Sequence, residues 1–137
     1  MPQSSACPYC DLAEMRRGAF VLENDLCLLS IKPSENGALE GAGIIIPKAH
    51  RPTVFDLTTE EWAATQTLLH QTRDHLDAGL APDGYNVGWN VGELGGQHIM
   101  HAHFHVIPRF ADEPMAGRGI RSHLKSVENR RASLLKT

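Results

Sequence analysis

The chain has no run of about 18 consecutive apolar residues, and its opening residues, MPQSSACPYCDLAEMRRGAF, lack a charged segment leading into an apolar core. These absences argue against a membrane span and a secretory leader, so the expectation is a soluble, cytoplasmic protein with no membrane partner. A basic excess is missing too: 13 Lys and Arg stand against 16 Asp and Glu, for a net charge of −3. No global field recruits nucleic acid, and an anionic ligand would need a local site. There is no Walker-type loop, no internal repeat and no linker long enough to divide domains. Cysteine is sparse and odd in number, with Cys7, Cys10 and Cys27 alone, which excludes a framework of paired disulfides. What remains is ordinary globular material, 42% hydrophobic and 21% charged over 137 residues. That is enough chain for one domain, 1–137, with its own core.

Patterning divides the chain as follows. Cys7 to about Arg17 reads as a short helix ended by Gly18, and Phe20–Glu23 and Asp25–Ile31 as strands around a tight turn at Asn24 and Asp25. Lys32–Gly41 is a loop punctuated by Pro and Gly, and Ala42–Ile46 a buried strand stopped by Pro47. The long helix spans Thr58 to Gly79, with capping-box spacing at Thr58 and Glu61 and Trp62, Thr65, Leu68, Leu69, Thr72 and Leu76 at helical intervals. Tyr85–Asn90 and Met100–Pro108 follow as neighbouring antiparallel strands around a Gly-rich loop, Val91–Gln97. From residue 111 to 137 the chain becomes a polar, basic tail carrying Arg118, Arg121, Lys125, Arg130, Arg131 and Lys136. Such a tail is draped over the surface or used in assembly.

The most unusual stretch is GGQHIMHAHFHVIPRF, from Gly95 to Phe110. His101, His103 and His105 recur with a period of two, so on a strand all three imidazoles share one face while Met100, Ala102, Phe104 and Val106 line the other. Three structural histidines on one face would crowd rings that resist burial without partners. The pattern points instead to a nucleophile, a proton donor or metal ligands near neutral pH, and spacing alone leaves open a catalytic metal held by all three. Just upstream, Gly95 and Gly96 can take positive φ and bring backbone N–H groups close to an anion, with Gln97 and His98 adding side-chain donors. The Cys7-Pro-Tyr-Cys10 pair suits a metal clip or a redox pair.

His101-Ala102-His103-Phe104-His105-Val106-Ile107, with Gly96-Gln97 and Asn90 before it and Ile44-Ile45-Ile46-Pro47-Lys48-Ala49-His50 upstream, resembles the histidine-triad (HIT) family of nucleotide hydrolases and nucleotidyltransferases, in its zinc-containing bacterial form. The resemblance runs from about Cys7 to Arg109. It implies an α+β fold, with a five-stranded antiparallel sheet, a long helix and a short N-terminal helix, and with two sheets joined across a homodimer. It implies that His103 attacks the α-phosphorus of a purine nucleotide to give a nucleotidyl-histidine that water cleaves, with His105, Gln97 and His98 completing the catalytic group. Leu28, Ser30, Ile31, Asn90, Gly96, Gln97, His98, His103 and His105 would hold the nucleotide. Cys7, Cys10, His50 and His101 would hold a structural zinc, and no organic cofactor is implied.

This division of labour is chemically sound, because a neutral imidazole is nucleophilic near pH 7 and splits one hard displacement into two easier ones. Substrates would be purine nucleoside phosphoramidates or dinucleoside polyphosphates. The rival from another class is a nucleotide-binding or scaffolding protein with little turnover. Two departures motivate it: His98 stands where relatives commonly carry Ser or Thr, and Ser30 where they carry Asp or Asn for the ribose hydroxyls.

Overall fold

The computed structural model describes residues 7–134. Five antiparallel strands form one sheet in the order β1-β2-β3-β5-β4, where β1 is Phe20–Glu23, β2 Cys27–Ile31, β3 Gly43–Pro47, β4 Gly84–Trp89 and β5 Phe104–Arg109. A 22-residue helix, Thr59–Leu80, crosses one face, and a four-residue helix, Leu12–Met15, lies on the other. These are α2 and α1 respectively. This is the α+β arrangement that the resemblance implies. Among the described residues no helix is long and apolar enough to cross a membrane.

The near-continuous apolar run of β2 follows from burial on both faces. Cys27, Leu29 and Ile31 pack with Ile45, Leu68, Leu76, Phe104 and Val106 under α2. Leu28 packs with Met15 and Ile46 on the opposite face, against Tyr9 and Leu12. The two layers lock each strand in register, because a slip of one residue would exchange the faces.

Besides one-residue shifts of β3 and β4, three boundaries differ from the sequence pattern. The N-terminal helix is broken in two, a 3-10 turn at Pro8–Cys10 and then α1, because the Asp11 carboxylate leaves the helical path to accept the Glu14 N–H at 3.1 Å. β2 starts at Cys27 rather than Asp25, since Asn24 Oδ1 captures the N–H groups of Leu26 and Cys27. The long helix keeps its Thr58/Glu61 capping box but passes through Gly79 to Leu80, and Ala81 ends it in the left-handed region at φ 48°. Pro82 comes next and cannot continue a helix. Glu61, not Trp62, turns inward; Trp62 is about half exposed and meets Trp89 edge-on at 5.7 Å.

The fourth difference matters most for function. The strand expected over Met100–Pro108 begins only at Phe104. Ile44 and Ile45 pair with His105 and Phe104, but continuing that ladder would set Ala102 opposite Pro47, which has no N–H to give. The Ala102 N–H turns to the Arg51 carbonyl instead, at 2.7 Å. His101 and His103 therefore lie on a bent approach to the sheet, and only His105 lies within it.

Candidate active site and metal centre

The bend gives the three histidines three different surroundings. His101 is fully buried. Its Nε2–H donates to the Pro47 carbonyl at 2.8 Å, which leaves the Nδ1 lone pair facing Cys7 Sγ at 3.4 Å and Cys10 Sγ at 3.5 Å. His50 Nδ1 lies 3.1 Å from Cys10 Sγ. The ligand atoms of Cys7, Cys10, His50 and His101 all fall within 4.8 Å of one another, so the four residues can hold a metal ion. Two sulfurs and two imidazole nitrogens match a closed tetrahedral site, and the Pro47 carbonyl supplies the outer hydrogen bond that fixes a ligating imidazole. The Cys10 thiol is pushed up to about 12 by burial and by the neighbouring Cys7. A bound divalent metal is the kind of charge that would let both thiols ionise.

His103 is also buried, at 8% exposure. Its Nδ1 sits 2.9 Å from the His101 carbonyl, and because a carbonyl only accepts, the ring proton must be on Nδ1. Nε2 is then the free lone pair of the neutral ring. Burial lowers the His103 pKa, which favours that neutral form. His105 stands at a centroid distance of 4.8 Å; burial and then His103 lower its pKa as well. Its Nε2 is buried without a hydrogen-bond partner among the described residues. An unpaired buried nitrogen costs about 1–3 kcal/mol, a cost that a ligand oxygen would remove.

The loop before the triad is built differently from its sequence expectation. Positive φ falls at Gly92 and Gly96, at 76° and 95°, while Gly95 ends a 3-10 turn over Glu93–Gly95. Gly96 lies beside the Asn90 side chain, with space for a Cβ 3.6 Å from its carboxamide. Gln97 is fully buried and spends both amide protons on backbone, donating to Pro52 O at 2.7 Å and Ile99 O at 3.0 Å, while its Oε1 accepts from Gly92 N–H at 2.9 Å. It has no proton left for a phosphate, so here it is a clamp that shapes the loop. His98 is exposed.

A cavity of about 230 Å³ opens on the triad face, on the β2 and β3 side of His105, with Tyr9, Ser30, Lys32, Ile44 and Ile107 in its walls. Ser30 reaches it, but its hydroxyl donates to the Met15 carbonyl at 2.8 Å. Leu28 lies wholly buried beneath Met15, and Ile31 points to the other face, under α2. Neither side chain lines the cavity: strand alternation sends Ile31 to the opposite face, and Leu28, on the same face as Ser30, is covered by Met15.

Tyr9 and Lys32 carried no sequence signal of their own. Tyr9 rides between the two clip cysteines, and its ring meets His103 edge-on at 5.0 Å. Burial, Glu35 and Cys7 raise its pKa. A third element, Glu23, ties this region together by pairing with Arg16 at 2.8 Å and with Lys48, two residues before His50, at 2.7 Å.

Comparison with known proteins agrees with this geometry. Residues 16–112 match the model of the HIT domain. An adenosine 5'-monophosphoramidase from Schizosaccharomyces pombe is 31% identical over 107 residues, covering 78% of this chain and 74% of that protein. A bis(5'-adenosyl)-triphosphatase from Dictyostelium discoideum is 32% identical over 94 residues, 66% of this chain and 58% of that protein. The crystal structure of a zinc-bound histidine triad family protein from Mycobacterium smegmatis superimposes with a TM-score of 0.65 at 24% identity, covering 86% of each chain. With the family match spanning the sheet, the long helix and all three histidines, the chain belongs to the HIT family.

Proposed function

We propose that this protein is a nucleotide hydrolase or nucleotidyltransferase acting at the α-phosphate of purine nucleoside phosphoramidates or dinucleoside polyphosphates. The observation that carries the reading is the Nδ1–H bond from His103 to the His101 carbonyl, which leaves Nε2 as the unprotonated, nucleophilic nitrogen. That lone pair attacks the α-phosphorus, the P–N or P–O bond to the leaving group breaks, and the leaving group departs with a proton. Water then attacks the nucleotidyl-histidine and restores the imidazole. His105 serves the phosphate through its unpartnered Nε2, and the exposed His98, next to the Gln97 clamp in sequence, supplies or relays the leaving-group proton. Asn90 and Gly96 border the phosphate, and the cavity beside Ser30 takes the nucleoside. The activities of the phosphoramidase and triphosphatase relatives support this reaction class.

The metal of Cys7, Cys10, His50 and His101 is, in this reading, a structural zinc. It supplies a closed four-ligand anchor, and the chain's own residues do the chemistry. Residues 1–137 form one HIT domain with 111–137 as its tail. It works as a cytoplasmic homodimer joined across the open edge of β4, where Val87 stands 38% exposed.

The test is His103→Ala with acid-quench trapping of a labelled nucleotide. The wild type should carry label on His103, and the variant should lose turnover by on the order of 10⁴-fold or more. Hydrolysis by the variant at the wild-type rate would overturn the covalent mechanism. A wild type that binds nucleotide without turning it over would favour the binding or scaffolding role.

A further inference from the structure

The basic tail has no part in the reading above, yet it does not hang free. Arg109 stands four residues beyond His105 on β5, so both side chains project from the same face of the sheet. Its guanidinium is a fork that grips the tail: Nε donates to both Glu113 oxygens at 2.9 and 3.1 Å, one terminal nitrogen to Asn86 Oδ1 and to the Arg118 carbonyl, and the other to the Met115 carbonyl at 3.0 Å. The Glu113 carboxylate also accepts the Phe110 N–H at 2.6 Å, and that bond together with Arg109 lowers its pKa.

The fork turns the chain back over the triad face. Gly88 pairs directly with His105, so a side chain at either position would rise from the same side. A Cβ built on Gly88 would lie 3.8 Å from Ile120 Cδ1. Ile120 therefore sits over the sheet immediately on the β4 side of His105. The nucleoside-sized cavity lies on the opposite, β2 and β3 side of the same histidine. A second cavity of about 300 Å³ is walled by Asn86, Arg109, Phe110 and Arg118.

The charge here is one-sided. Between Gly117 and Lys125 the chain reads GRGIRSHLK, with three cations and no acid. Arg118, Arg121 and Lys125 are exposed, and none makes a salt bridge among the described residues. A phosphorus held at His103 and His105 with its nucleoside on the β2 and β3 side has its other substituent to place, and the tail borders the remaining side of the triad face.

We infer that the Arg118–Lys125 segment, fastened by Arg109, is a leaving-group subsite selecting substrates whose leaving group is itself a phosphate chain over those that release a neutral amine. The inference rests on the function proposed above and narrows its substrate class. Guanidinium groups recognise phosphate oxygens by charge-assisted hydrogen bonds, and a tail whose backbone is held to the sheet, as at the Arg118 carbonyl, loses less entropy on binding than a free one.

The experiment measures affinity for AMP and for the α,β-methylene analogue of ATP in the full-length protein, beside kcat/KM for diadenosine tetraphosphate and adenosine phosphoramidate. In the wild type the triphosphate analogue should bind at least about tenfold more tightly than AMP, with the advantage shrinking as salt rises. Arg118→Gln with Arg121→Gln should erase most of that ratio and lower the tetraphosphate-to-phosphoramidate ratio of kcat/KM in parallel. Arg109→Met keeps both cations but frees the tail, and it should also erase the advantage. Equal affinity for the two ligands in the wild type, or an unchanged ratio in either variant, overturns the subsite. Because the affinities need no turnover, a wild type that prefers the triphosphate but hydrolyses nothing would sink the catalytic reading while sustaining the subsite.

Discussion

Replacing Gln97 by Leu separates two roles that sequence alone cannot tell apart. Leucine roughly conserves volume but removes all three side-chain hydrogen bonds, to Gly92 N–H, Pro52 O and Ile99 O. Each backbone group left buried without a partner costs about 1–3 kcal/mol. The loop lies near the surface, with Glu93 to Gly96 exposed, so water will rescue part of the loss, and a total of about 2–5 kcal/mol is expected. Given roughly 3–5 °C per kcal/mol for a domain of this size, Tm should fall by roughly 6–25 °C. Urea unfolding is the cleaner assay: the midpoint should drop with the slope unchanged. The folded variant should also turn over more slowly, since the clamp shapes the loop leading into the triad. A variant that keeps its urea midpoint while losing kcat/KM would refute this reasoning and return Gln97 to the role of phosphate donor.

Two further outcomes are expected. Elemental analysis should find one zinc per chain, and Cys7→Ser with Cys10→Ser should lose both the metal and thermal stability, because the four ligands come together only in the folded state; full metal content in that double variant would disprove the cluster. Glu23 is held down to about 2 by its bonds to Arg16 and then to Lys48. A depressed folded pKa contributes stability above the ordinary value of 4.5 and loses it as pH falls toward 2, so Glu23→Gln should flatten the acid side of the stability profile across that window, most clearly at low salt. Parallel acid titrations of wild type and variant would show that the pair contributes nothing.

Much of the site was legible because its chemistry is local in sequence. The His-x-His-x-His run and the Cys-x-x-Cys clip are short motifs, and their donor types already restrict what they can bind. The Thr58/Glu61 cap and the spacing of Thr65, Leu68, Thr72 and Leu76 likewise describe α2 before any tertiary contact forms. Periodicity misled at the triad itself. A period of two promised one shared imidazole face, whereas the missing N–H of Pro47 stops the ladder and turns His101 toward the cysteines. The Gln97 amide shows the same limit: in sequence it looks like an anion donor, and only the fold brings the carbonyls of Pro52, from a distant loop, and Ile99 onto both of its protons.

The sequence by itself determined the approximate elements, the apolar run of β2 and the residue types available for nucleophilic and metal chemistry, because these depend on near neighbours along the chain. Only the tertiary structure decided which nitrogen of each histidine is free, since that depends on carbonyls brought in from elsewhere in the backbone. It alone placed Tyr9 against His103, sent Ile31 to the helix side, and folded the tail back beside His105. Each of these is a long-range packing outcome, set by which faces must be buried together and which hydrogen-bonding groups must find partners once water is excluded.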